Sequence, residues 1–158
     1  TAYRLLARDQ IAYVASRYVN IAKTSSNGLQ AELDARLSDT LRLKLAYAWL
    51  DAVDRSTGMS LLRVPDHSGS AALFWDARPW SAAFTVRGES SQSDTARDGF
   101  SRTVRKGFVT ADLAGAYAVN EHLSLTARIE NLTDRRYQEA FGYREPGRAA
   151  YVGVRLSN

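Results

Sequence analysis

Residues 28–38, GLQAELDARLS, admit one regular backbone. Leu29, Ala31, Leu33, Ala35 and Leu37 fall on one parity; Gln30, Glu32, Asp34 and Arg36 fall on the other. A helix would scatter these apolar residues around its circumference, whereas a period of two sorts them completely, so the stretch is a strand with one apolar and one charged face. After a short turn at 38–40 the same alternation resumes with Leu41, Leu43, Leu45, Tyr47 and Trp49 against Arg42 and Lys44.

The alternation recurs along the chain. Residues 2–15 carry Tyr3, Leu5, Ala7, Ile11 and Tyr13 on one parity and Arg4, Arg8 and Gln10 on the other, with Asp9 interrupting the apolar set. Ala71, Leu73 and Trp75 mark a strand over 67–76. Trp80, Ala82, Phe84 and Val86 mark the next, beyond a tight connection at Ala77-Arg78-Pro79. Val109 to Val119, Leu123 to Glu130 and Arg148 to Ser157 complete eight expected strands, the last with Ala150, Val152, Val154 and Leu156 outward and Tyr151, Gly153 and Arg155 inward. The fold class is all-β and antiparallel.

The expected connections alternate. Short ones lie near 38–40, 77–79 and 119–121. Long polar ones lie near 16–27, 52–66, 90–106 and 133–147, the first read from the Ser, Asn, Lys and Thr content of 17–27. Short turns at one end and long loops at the other are the asymmetry of an outer-membrane β-barrel, with the long loops outside and, for an even strand count, both chain ends periplasmic. Tyr47, Trp49, Trp75, Trp80 and Tyr117 close apolar stripes, where a ring meets lipid headgroups. A soluble antiparallel sandwich or lipocalin-like barrel would show the same period with its apolar faces turned inward. Charges repeated at mid-strand and aromatics at stripe ends favour the membrane barrel.

Composition excludes more than it assigns. There are no cysteines, which removes disulfides, thiolate metal sites and a thiol nucleophile. The net charge is +4, with a sequence pI near 9.6. It is spread along the chain without an aromatic–basic cluster or a reading helix, so no nucleic-acid partner is expected. No apolar run approaches the ~20 residues of a membrane helix, which does not bear on a barrel. The chain opens mid-pattern at Thr1-Ala2-Tyr3-Arg4 with no signal peptide, the expectation being a fragment.

No catalytic residue is expected. The two histidines, His67 and His122, fall at opposite ends of the sheet, and Ser68 is only a sequence neighbour of His67. Neither histidine has a second at ligand spacing. Asp51 and Asp54 lack the density of a calcium loop. The glycines fit no phosphate loop. Asn131-Leu132-Thr133 matches a glycosylation acceptor, an idle reading in a bacterial membrane protein. No metal and no cofactor are expected.

The last thirty-one residues, RIENLTDRRYQEAFGYREPGRAAYVGVRLSN, carry a denser signal. Asn131, Leu132, Thr133, Asp134, Arg135 and Tyr137, then Gly142 and Tyr143, then Pro146, Gly147 and Arg148, resemble the final hairpin of TonB-dependent outer-membrane transporters. Arg63-Val64-Pro65-Asp66-His67-Ser68 resembles a second recurrent segment of that family. Among its branches the wording YQEAFGYREPGR is most similar to the cobalamin (vitamin B12) transporters. The resemblance implies a 22-stranded barrel filled by an N-terminal plug, energised through TonB, that takes up a bulky scarce nutrient, a corrinoid or a ferric siderophore. Residues 1–158 would then be the last eight strands, with the plug, the TonB contact and the earlier strands outside them. The family usually ends on an aromatic residue; Asn158 stands there.

The resemblance assigns partners to both faces. The charged parity, Glu32, Asp34, Arg36, Arg42, Lys44, Arg87, Arg128, Glu130 and Arg155, would face the lumen and its plug, or pair across strands at roughly 0.2–1 kcal/mol each. The apolar parity would face outer-membrane lipid. In the loop before the last strand, Phe141, Tyr143, Arg144 and Arg148 suit an amphipathic ligand with acidic groups such as a corrinoid or iron chelate; alternatively Tyr143 packs on the rim and Arg148 only starts the strand. Two other functions remain open: a free-standing eight-stranded barrel with a structural or adhesive role, and a soluble ligand-binding β-barrel.

Overall fold

The computed structural model of the chain describes the backbone of residues 1–14 and 17–157, and within these the side chains of all but 9, 10, 12–14, 17 and 20–22. It contains ten strands: β1 (Ala2–Val14), β2 (Arg17–Arg36), β3 (Leu41–Asp54), β4 (His67–Ala77), β5 (Trp80–Glu89), β6 (Gln92–Thr95), β7 (Arg102–Arg105), β8 (Phe108–Ala118), β9 (Leu123–Glu130) and β10 (Ala149–Leu156). Eight form one antiparallel sheet in the order β1-β2-β3-β4-β5-β8-β9-β10, and β6 and β7 form a separate hairpin. Every pairing in the large sheet is between sequence neighbours once that hairpin is set aside, the pattern of an up-and-down barrel wall.

Register carries one face across the whole sheet. Ala35 is paired with Leu43, Leu43 with Leu73, Leu73 with Phe84, Phe84 with Leu113, Leu113 with Ile129, and Ile129 with Ala150. Directly paired residues project from the same face, so the apolar parity is continuous from β2 to β10. The opposite face holds Glu32, Asp34, Arg36, Arg42, Lys44, Arg87, Arg128, Glu130 and Arg155, all nine of the charged positions read from the sequence. Among the described residues no second sheet or helix is layered on either side of the barrel wall. Among the described residues only Ala52, Phe108 and Ala111 are buried apolar side chains, while Leu45, Leu73, Phe84, Leu113 and Val154 stay exposed. A soluble domain of this size would bury about two-thirds of its surface. This sheet keeps its apolar face for a surrounding that is not water.

Aromatic residues close that face at both ends. Near the short turns, the Trp80 and Tyr117 rings meet at a tilt with centroids 4.5 Å apart, and Trp75 is paired with Leu41. Near the long connections, Tyr47 shares a hydrogen bond of 2.7 Å with Nδ1 of His67, and Trp49 is paired with His67. The two levels are eight residues apart on β3, about 26 Å along the strand and roughly 20 Å along a barrel axis inclined by ~40°, close to the apolar band of an outer-membrane barrel.

Three sequence expectations are corrected. Residues 17–27 are strand: β2 is continuous from Arg17 and is paired with β1 as far as Val14 and Arg17. β2 is paired with β3 only from Thr24 onward, so the first hairpin projects beyond the sheet as a two-stranded ribbon. Its polar residues look like loop because a ribbon in water need not be apolar on either face. The region 90–106 likewise contains the β6–β7 hairpin. On β1 the apolar parity lies on the charged face, since Tyr3, Leu5 and Ala7 are opposite Gly28, Ser26 and Thr24. The reason is local: the Tyr3 ring covers Gly28 so closely that a Cβ there would sit 2.3 Å from Cζ. The expected orientations of Gln10 and Tyr13, the end of the first strand at Ala15 and the terminal Asn158 lie outside the described residues.

Leu45 sits at mid-band and Ala46 on the opposite face. Leu45→Arg should destabilise the protein in a bilayer by about 2–4 kcal/mol, and Ala46→Arg by no more than about 1 kcal/mol. Reversible unfolding in lipid vesicles measures both, and equal costs would contradict the assignment of faces.

Candidate ligand site at the long-connection end

The longest irregular connection, 131–148, is held by its own motif residues. Asn131, at a left-handed φ of 49°, donates through Nδ2 to the carbonyls of Arg135 (2.9 Å) and Pro146 (3.2 Å) and accepts from Arg135 N–H at 2.8 Å. Its own N–H donates to Asp112 on β8 at 2.7 Å. Asp134, also left-handed, accepts from Arg148 N–H at 2.9 Å, and a Cβ on Gly147 would lie 2.8 Å from the same Oδ1. The two side chains therefore clasp the start of the loop to its end. Asn and Asp suit this because they tolerate a left-handed backbone and carry short hydrogen-bonding groups.

From this base the loop folds back over the charged face of β5 and β8. Arg87 donates to the Tyr137 hydroxyl (2.9 Å) and to Glu139 (2.8 Å), and its guanidinium lies 5.4 Å from the centre of the Phe108 ring. Phe108 and Tyr137 rings are 4.4 Å apart. The fully buried Arg105, its guanidinium 5.3 Å from the centre of the Phe108 ring, donates to Glu89 at 2.7 Å. Burial pushes the Tyr137 phenol up against the opposing pull of Arg87, with Glu139 and Glu145 adding to the rise, so the hydroxyl stays neutral.

Asp94 joins three connections. Its side chain is 1% exposed and accepts from Arg63 Nε in the 55–66 connection (2.9 Å), from Thr95 N–H on β6 (2.7 Å) and from Phe141 N–H in the last loop (2.7 Å). Burial alone would raise its pKa. The Phe141 amide, the Arg63 guanidinium and the Thr95 amide outweigh it and hold the carboxyl below its usual range. Gln92 adds a 3.4 Å bond to the Glu139 carbonyl.

Between the end of β7 and the clasped loop lies a cleft of about 680 Å³. Arg105, Lys106, Arg135, Arg136 and Arg144 line it against two carboxylates, Asp134 and Glu145, with Tyr137 and Phe141 as its aromatic walls. Among the described residues Lys106, Arg135, Arg136 and Arg144 form no ion pair. The cleft is thus an open cationic pocket with an aromatic side, the chemistry for a multiply acidic ligand.

Of the four loop residues expected to bind ligand, Phe141 and Arg144 line this cleft. Tyr143 is 74% exposed and lies outside its lining, and so does Arg148, whose N–H serves the clasp. Lys106, Arg135 and Arg136 were not among the expected ligand residues; the run RTVRK at 102–106 and the pair Arg135-Arg136 are the signals that mark them. On the charged face, Asp34 takes a two-pronged bond from Arg42 (2.6 Å each) with Lys44 at 3.6 Å, Arg128 meets Glu130 at 3.2 Å, and Arg36 turns to Asp39 at 3.0 Å. Glu32 and Arg155 make no ion pair among the described residues. These pairs are exposed to solvent and screened, so they add little to stability.

Comparison with known proteins agrees with this architecture. The family model described as TonB dependent receptor-like, beta-barrel matches residues 1–132. The metal-pseudopaline receptor CntO of Pseudomonas aeruginosa is 32% identical over 126 residues, covering 72% of this chain and 17% of that protein. The chain thus spans about a sixth of that relative's length. Among solved structures, the siderophore receptor PiuA from Acinetobacter baumannii superposes with a TM-score of 0.81 at 17% identity, over 98% of this chain and 25% of that one. The copper transporter OprC gives 0.79 at 24%, over 99% and 28%. The ferripyoverdine receptor of the outer membrane of Pseudomonas aeruginosa gives 0.80 at 14%, over 98% and 24%. At these identities the structural likeness is one of fold.

Asp94→Ala would leave the Phe141 and Thr95 amides without their acceptor, at about 1–3 kcal/mol per stranded group. Hydrogen exchange at 131–147 should accelerate at least tenfold in that variant while β3–β5 stay protected. Because the Asp94 pKa is depressed in the folded state, its contribution is complete above the unfolded value of about 3.9 and is lost as pH falls through the lower folded value. Protection of the Phe141 amide should therefore be flat from pH 7 to about 4 and drop only below that.

Proposed function

The chain belongs to the TonB-dependent receptor β-barrel family, outer-membrane transporters rather than enzymes, and on that premise we propose that it supplies the C-terminal wall and outer loops of a receptor that takes up an acidic metal chelate. The observation that carries this reading is the cationic cleft at the long-connection end, where four unpaired cations and two aromatic rings face a volume suited to a small chelate complex.

Of the two ligand classes raised by the terminal motif, the metal chelate has the better support. With Arg105 committed to Glu89, the cleft keeps an excess of two positive charges, four cationic against two anionic side chains. Several carboxylates or catecholates of a chelator complement that excess, whereas cobalamin offers a single phosphodiester. The relative of 32% identity is by name a receptor for metal-pseudopaline.

The rest of the machine lies outside this chain in the same proposal. β1 and β10 are the edges of the sheet, and their unpaired backbone groups would be filled by the remaining strands of the barrel. The charged face would line the lumen, with Glu32 and Arg155 left to meet a plug. TonB would act through that plug. A free-standing eight-stranded barrel would instead require β1 to pair with β10, and the sheet order contains no such pairing.

The test is binding of metal chelates to the full receptor and to its Arg136→Glu/Arg144→Glu variant. Charge-assisted contacts of about 1.5–3 kcal/mol each imply a loss of tenfold or more in affinity, with the barrel intact. Undiminished binding by the variant, or a preference for a corrinoid over any chelate, would overturn the reading.

A further inference from the structure

The cationic cleft holds a carboxylate that none of its cations neutralises. Of its two acidic side chains, Asp134 is committed to the clasp, where it accepts from the Arg148 N–H. Glu145 lines the same cleft as Lys106, Arg135, Arg136 and Arg144, and among the described residues it forms an ion pair with none of them. Charges of both signs are thus displayed side by side in one cavity.

The backbone fixes where that carboxylate starts. Residues 137–145 make a closed excursion, with the Glu145 N–H donating to the Tyr137 carbonyl at 3.1 Å across its neck. Inside it the Tyr143 N–H donates to the Ala140 carbonyl at 3.1 Å, and the Gly142 N–H to Oε1 of Gln138 at 2.8 Å. The Phe141 N–H ties the excursion to the buried Asp94, and Arg87 holds the Tyr137 hydroxyl. Glu145 is therefore anchored, half-buried, at the cleft wall beside Tyr137.

A ligand for this cleft has to answer both signs. A chelate that offers only anionic oxygens, such as a tris-catecholate, complements the cations but sets like charge against Glu145, and such a mismatch is a device for rejection. An aminocarboxylate answers both. Its carboxylates carry the negative charge, while each secondary amine gives its lone pair to the metal and keeps an N–H, a donor strengthened by the charge of the ion. We propose that Glu145 is the selectivity residue of the cleft and that the ligand is a metal aminocarboxylate, its carboxylates on Lys106, Arg136 and Arg144 and a metal-bound amine N–H on Glu145. The inference rests on the chelate reading and narrows it to one class.

Titration calorimetry of the full receptor carrying this segment tests it with the nickel(II) complexes of two isomeric chelators. Ethylenediamine-N,N′-disuccinate and ethylenediaminetetraacetate present the same donor atoms and the same charge, but only the disuccinate has secondary amines and hence N–H groups. Wild type should bind the disuccinate complex about tenfold more tightly than the tetraacetate complex. Glu145→Gln should weaken the first and strengthen the second, bringing them within about threefold. A loop that had merely lost its structure would weaken both together. Equal affinities in wild type, or a preference that survives in Glu145→Gln, would overturn the inference. So would a wild type that binds a ferric tris-catecholate and neither nickel complex, an outcome that leaves the chelate reading standing. Undiminished binding of both complexes by Arg136→Glu/Arg144→Glu, or no chelate binding at all, would overturn the chelate reading and this inference with it.

Discussion

A backbone amide inside a bilayer has no water to turn to, and an unpaired one costs several kcal/mol. This constraint explains the shape of the chain. Once the β6–β7 hairpin is set aside, the strands of the large sheet are paired in sequence order, and the tight turns keep that ladder continuous at one end. Because pairing fixes register and register fixes the face, one hydrogen-bonding requirement also sorts Leu, Phe, Val and Ala to one side and the charged residues to the other. The two edge strands are where the ladder stops, and a wall built this way is completed only by further strands.

Polar interactions take over where the sheet leaves the apolar band. The long connections have no hydrophobic core to pack on; among the described residues Phe108, at the start of β8, is the one buried aromatic they meet. They are tied instead by charge-assisted hydrogen bonds that converge on Asp94, Arg105 and Arg87. A buried carboxylate is stable here because three donors, two on Oδ1 and one on Oδ2, replace most of the water it gives up. The result is a rim tied by paired cations beside an open cleft whose other cations form no ion pair among the described residues.

Much of the wall was legible because alternation is a local signal. Leu29 to Leu37 and Leu41 to Trp49 reveal their face from spacing alone, and register then places their charged neighbours correctly. Residues 17–27 were misread because a solvated ribbon imposes no apolar period, so strand and loop look alike there. On β1 the period was present but on the other face, since the Tyr3–Gly28 contact rather than lipid sets the orientation. The rim was not legible. Asp94 meets partners 31 and 47 positions away in sequence, and nothing near it marks it as a hub. The terminal motif was recognisable, yet its Asn131 and Asp134 form a clasp, and the cations of the cleft stand beside the motif more than in it.

The central claim is that one face of a single sheet meets lipid while the other meets water. The chain has no cysteine, so single cysteines introduced along β3 report one position at a time. Labelling by a membrane-impermeant maleimide, applied to the full receptor in vesicles, should be slow at 43, 45 and 47 and fast at 44, 46 and 48. A uniform rate along the strand, or the reverse alternation, would contradict the account.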